Sequence, residues 1–144
     1  MRFQAEAADA FADNFQPNLE PVYADRPLAV ESLADGSGWC VTFSTLSQWI
    51  EFQQVKLGCG RYRFTARVAT NSARQQSIRL EIADLPSVTV PRTGSWDTYD
   101  LLHLGEASLD SGLHDLRLIF ESSGRVLVDW IFVKRIETCF CQVL

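Results

Sequence analysis

Residues 61–68 read R-Y-R-F-T-A-R-V, with Tyr62, Phe64, Ala66 and Val68 on one side and Arg61, Arg63, Thr65 and Arg67 on the other. A period of two sends successive side chains to opposite faces of a strand, so this stretch has a core face and a wet face. Outward from it the pattern returns in S-I-R-L-E-I, through Ile78, Leu80 and Ile82, and in L-R-L-I-F, through Leu116, Leu118 and Phe120. Half-buried strands of this kind belong to antiparallel sheets. Turn residues separate them at L-G-C-G-R (57–61), T-N-S-A-R (70–74), P-R-T-G-S (91–95), D-S-G (110–112) and S-S-G (122–124). Short strands at this spacing, with no long helical pattern, predict an all-β fold, a β-sandwich of mainly antiparallel strands.

One strand departs from the alternation. Residues 126–133, V-L-V-D-W-I-F-V, are apolar on both faces except at Asp129. An unpaired carboxylate there is too costly to keep, so it calls for a metal, a cation or hydrogen-bond donors. Near the other end, F-Q-A-E sets Gln4 and Glu6 two residues apart, on one face of an opening strand. If the first and last strands pair, three oxygen-bearing side chains converge, a donor set suited to calcium. Hydrogen bonds from backbone or Ser/Thr groups are the alternative account of Asp129.

At 144 residues the chain is long enough for one domain with a sizeable core, and 47% apolar with 22% charged residues excludes disorder. A net charge of −5 argues against nucleic acid or an anionic membrane as a partner. No stretch is long and apolar enough to span a bilayer, and M-R-F-Q-A-E enters a strand without an apolar leader. Residues 13–38 hold Pro17, Pro21 and Pro27 and end in D-G-S-G, which predicts a long ordered loop with at most a short strand at 29–33. Cys40, Cys59, Cys139 and Cys141 lack Cys-x-x-Cys spacing, so zinc is not indicated. A Cys40–Cys59 disulfide is conceivable, and T-C-F-C-Q-V-L reads as a frayed end.

Catalytic motifs are missing: there is no G-x-S-x-G, no phosphate-binding glycine loop and no H-E-x-x-H. His103 and His114 read as surface or strand-end residues, and no pair of carboxylates is marked out for glycoside cleavage. The aromatics say more. Trp96, in P-R-T-G-S-W-D-T-Y, follows a glycine turn, where a large ring protrudes, and Phe43 lies near a strand end. Flat rings exposed this way stack on the C–H faces of sugars. Trp49 and Trp130 sit inside apolar strands and read as core.

The order Q-A-E at the start, then Q-W-I-E-F, then T-G-S-W-D-T-Y, then L-V-D-W-I resembles family 6 carbohydrate-binding modules, with family 35 as a close relative. The resemblance covers residues 1–135 and leaves 136–144 as a C-terminal tail or linker remnant. It implies a β-jelly roll with a structural calcium held by Gln4, Glu6 and Asp129. It also implies a sugar slot at a loop edge between Phe43 and Trp96, with Glu20 bonding hydroxyls and Tyr23 and Trp39 as further contacts. Leu127 stands where the family commonly has an Asn, which gives the slot an apolar floor.

Arg61, Arg63, Arg67, Arg79 and Arg117 fall on polar strand faces. They form either a solvated face paired with Glu81 and its neighbours or a groove for uronates and sulfated sugars. The combined reading is a non-catalytic module that binds a polysaccharide or oligosaccharide. It would serve an attached glycan-degrading domain within an extracellular protein. The competing reading is a structural or protein-interaction sandwich that has kept the calcium and lost the slot.

Overall fold

The alternating stretch at 61–68 lies inside a ten-residue strand, Gly60–Ala69, whose apolar side is buried throughout. The computed structural model describes residues 1–12, 29–33, 38–122 and 124–139. In chain order the strands are β1 (Arg2–Gln4), β2 (Ala10–Ala12), β3 (Ala29–Ser32), β4 (Trp39–Phe43), β5 (Trp49–Leu57), β6 (Gly60–Ala69), β7 (Gln76–Glu81), β8 (Val88–Val90), β9 (Asp100–Leu109), β10 (Gly112–Phe120) and β11 (Val126–Thr138). Two sheets result. One runs β3-β4-β11-β6-β9 with β1 also on β11, and the other runs β2-β5-β10-β7-β8. The pairings are antiparallel.

The inner faces meet in one core. Phe64, Ala66, Val68, Leu104, Val128 and Ile131 come from the first sheet, and Ile50, Ile78, Leu80, Leu116, Leu118 and Phe120 from the second. The alternation predicts the members from β6, β7 and β10, because each of those strands has one face turned to the other sheet. Phe43 belongs here too. It is wholly buried and stacks on Phe120 at 5.6 Å between ring centres, so it offers no face to a ligand, contrary to the slot reading.

The central strand β11 explains where Asp129 sits. Residues 127–138 pair along one edge with β6. The other edge is shared, β4 taking residues 126–128 and β1 taking 130–132. Asp129 stands opposite the break between them, and the register with β6 slips there, Val128 facing Val68 and Trp130 facing Arg67. An extra residue in one strand re-aims the side chains beside it. Val126 and Val128 therefore point into the core before the bulge and Ile131 and Val133 after it.

Several expectations shift. Glu6 is not in a strand: β1 ends at Gln4, and a 3-10 turn at Ala5–Ala7 carries the chain towards the second sheet with Ala5 plugged into the core. Trp49 and Trp130 are only partly buried, under Arg117 and Arg2 at 3.9 and 5.7 Å. The disulfide joins Cys59 to Cys139, not to Cys40, with Cα atoms 5.5 Å apart. Cys59 adjoins the end of β6 where Gly60 faces Thr138, while Cys40 lies on β4, which meets β11 near its opposite end. Strand β11 runs to Thr138, so residues 136–139 of the expected tail belong to the sandwich, and its remainder, 140–144, lies outside the described residues.

Candidate functional site

Alternation also fixes what the outer face of the first sheet carries. Cys40 and Thr42 flank the core residue Val41, Arg67 sits between Ala66 and Val68, and Leu127 sits between Val126 and Val128. All four must therefore point away from the main core. Leu127 faces Thr42 on one side and Ala69 on the other. A second, smaller cluster forms there from Leu33, Cys40, Ala69 and Leu127, with Trp96 and Tyr99 packed against it.

Trp96 is delivered by a turn that depends on glycine. Gly94 has φ +93° with open space around it, and Thr93 is bonded back to Thr70, whose backbone oxygen accepts from the Thr93 amide at 2.9 Å. A side chain at 94 would be strained in that conformation. Trp96 and Tyr99 come out partly exposed, and the Arg125 guanidinium lies 4.7 Å from the Trp96 ring centre. Trp39, the first residue of β4, is 53% exposed. Leu127, only 5% exposed, supports the aromatics from beneath and is not an open floor. Glu20 and Tyr23 lie outside the described residues. Tyr99 is absent from the sequence reading; its place three residues after Trp96 on a strand approach was the available signal.

The acids form a second locus. Gln4, Glu6 and Asp129 line one cavity of about 590 Å³, together with Arg2, Leu33, Gly38, Arg67 and Trp130. Asp129 is 6% exposed and accepts from Arg67 Nη1 at 2.6 Å. Its charge is thus met by a guanidinium, a partner the sequence reading did not name. Glu6 Oε2 is buried with no hydrogen-bond partner among the described residues. Among the described residues no group of three or more His, Cys, Asp or Glu side chains is placed to hold a metal. Two carboxylates and an amide are oxygen donors of the kind calcium takes.

The remaining arginines do not make one cationic groove. Arg61 and Arg63 share Glu106 on the first sheet, while Arg79 pairs with Glu81 and Glu121 and Arg117 with Glu51 on the second. The Arg63 hydrogen bond holds the Glu106 carboxyl below the usual range, with Arg61 adding to the effect. Burial, and then a hydrogen bond with Cys40, push the Tyr99 phenol well above the ordinary tyrosine value.

Comparison with known proteins bears on these features. The family model described as carbohydrate binding module (family 35) matches residues 25–133. A native family 35 module from Clostridium thermocellum superposes with a TM-score of 0.73 at 20% identity, over 94% of this chain and 97% of that one. A family 6 module from Clostridium stercorarium in complex with cellobiose gives 0.67 at 27% identity, over 94% and 93%. Among curated proteins, endo-1,4-beta-xylanase A of Thermoclostridium stercorarium is 29% identical over 134 residues, which is 91% of this chain but only 24% of the xylanase. The two families named by the sequence motifs are thus the two found, and the family model is that of the second. The chain belongs to family 35 of the carbohydrate-binding modules, which are non-catalytic domains.

Proposed function

We propose that this module holds a β-linked polysaccharide against Trp96 and Tyr99, with Trp39 as a further stacking surface, and so keeps an attached glycan-degrading enzyme near its substrate. The observation that carries the reading is Trp96, partly exposed over an apolar cluster on the outer face of the sheet. A ring held this way offers a flat apolar surface without charge, and arginines beside Trp96 and Tyr99 add donors for hydroxyls. The xylanase relatives, of which the chain spans 24% and 19%, support an enzyme partner. With the cellobiose complex, they also put β-1,4-linked glucans and xylans at the head of the panel.

The same reading gives the acid cavity to a structural calcium held by Gln4, Glu6 and Asp129. The support is the Glu6 oxygen, without a partner among the described residues, in a cavity that Asp129 also lines. A cation there would tie the opening turn to the last strand and stabilise by linkage. The Cys59–Cys139 disulfide supports an oxidising, extracellular setting.

The test is titration of cello-, xylo- and galacto-oligosaccharides, with a glucuronoxylan arm for anionic sugars. Trp96→Ala and Trp39→Ala should each lose affinity while keeping the wild-type circular dichroism spectrum. Wild-type affinity in both variants overturns the assignment. For the metal, chelator should lower the melting temperature and Asp129→Ala should abolish that sensitivity; identical melting with chelator and with excess calcium removes calcium from the account.

A further inference from the structure

One side chain touches both loci. Arg67 leaves β6 on the outer face and donates to Asp129 Oδ2 at 2.6 Å, while its guanidinium carbon lies 4.5 Å from the centre of the Tyr99 ring. Through the first contact it lines the cavity of Gln4, Glu6 and Asp129. Through the second it borders the cluster on which Trp96 and Tyr99 rest, and Leu33 belongs to both regions. The acid end of this bridge is buried, with Asp129 8% exposed at the side chain and Arg67 34%.

A buried carboxylate needs a counter-charge, and here the chain supplies its own. A divalent cation held by Asp129 and Glu6 would bring a second positive charge to the same carboxylate, and like charges so close in a poorly solvated site repel. The guanidinium would then yield at Asp129 while keeping the Tyr99 face, and its released donors would lie beside the aromatic patch. We propose that Arg67 is the resident counter-cation of the acid cavity. In this role it competes with a divalent metal for Asp129 and acts as a positioning residue that couples metal binding to glycan binding through Tyr99. This rests on the reading of the cavity as a calcium site and of the patch as the sugar site.

Coupling of this kind is reciprocal and commonly amounts to about five-fold or more in affinity. Calorimetric titration of calcium chloride into the wild type, Arg67→Met and Tyr99→Leu reads the competition directly. Arg67→Met should bind calcium several-fold more tightly than the wild type, a gain that a merely structural arginine would not yield, and Tyr99→Leu should bind it as the wild type does. Titration of cellohexaose or xylohexaose, whichever the wild type binds, then reads the coupling. The wild type should bind it at least about five-fold more tightly in calcium than in chelator, whereas Arg67→Met should show no calcium dependence.

Where Arg67→Met does not fold, Arg67→Lys keeps the charge without the planar stack; it should retain wild-type calcium affinity and lose most of the dependence. Full calcium dependence in Arg67→Lys or Tyr99→Leu overturns the route through Tyr99. Calcium binding that is equal in the wild type and Arg67→Met overturns the competition alone. Absence of calcium binding in both overturns the metal reading together with this proposal.

Discussion

Thr42 buries a hydroxyl that has no partner among the described residues, at 4% exposure and directly across from Leu127. Removing such a group should help, because an unmet hydroxyl loses its water without replacement. Thr42→Val is therefore expected to stabilise by about 1 kcal/mol in urea unfolding. Thr70→Val is the control: Thr70 Oγ1 donates to the Arg125 carbonyl at 2.6 Å, and its loss should cost about 1–2 kcal/mol. Tyr99 makes a pH prediction. Its folded value is raised above the unfolded one near 10, so its contribution is complete below about pH 10 and is lost as pH rises through the folded value. Stability measured from pH 8 to 11 should fall on the alkaline side, and Tyr99→Phe should flatten that fall. At this scale the sequence was informative about Asp129, since an acid in an apolar strand advertises a partner. It could not name Arg67, which lies 62 residues earlier and meets it only through strand pairing.

Strands were the most legible level, and their ends the least. Period two identified the inward residues of β6, β7 and β10, because those strands cross the middle of a sheet where the two faces differ most. It did not separate Phe43, expected at the loop edge, from Trp39, expected as a further contact. Both share a phase with Val41, yet Phe43 reaches the core while Trp39, at the first position of β4, is left in solvent. The bulge at Asp129 was hidden for a similar reason, since a run apolar on both sides carries no phase to slip. Depth, then, separates residues that pattern equates. Ile131→Ala, at 0% exposure, should cost about 2–5 kcal/mol. Trp49→Ala should cost less despite its size, about 1–2 kcal/mol, because Trp49 is partly exposed and covered by Arg117 rather than by core. Paired denaturation curves decide the order, and a larger loss at Trp49 would contradict it.

Across the whole molecule, fold and family were readable because four short motifs in order sample both ends and the middle of one sandwich. The site was less readable, because its parts converge from β4, β6, β11 and the approach to β9, and because Glu20 and Tyr23 lie outside the described residues. The disulfide could not be read from spacing, since 80 residues separate Cys59 from Cys139. Closing a loop of that length should stabilise by about 2–4 kcal/mol. A Cys59→Ser, Cys139→Ser double variant should show that loss in oxidising buffer, while reductant should produce it in the wild type only. The same bond has a mechanical meaning. A module gripping a solid polymer while its neighbour moves is under traction, and a tug applied beyond Cys139 would otherwise peel β11 from β6 one rung at a time, starting at Thr138. With the sulfur bridge in place the pull passes instead into the short link between β5 and β6, which joins the two sheets, and the β11–β6 ladder is spared unzipping from that end.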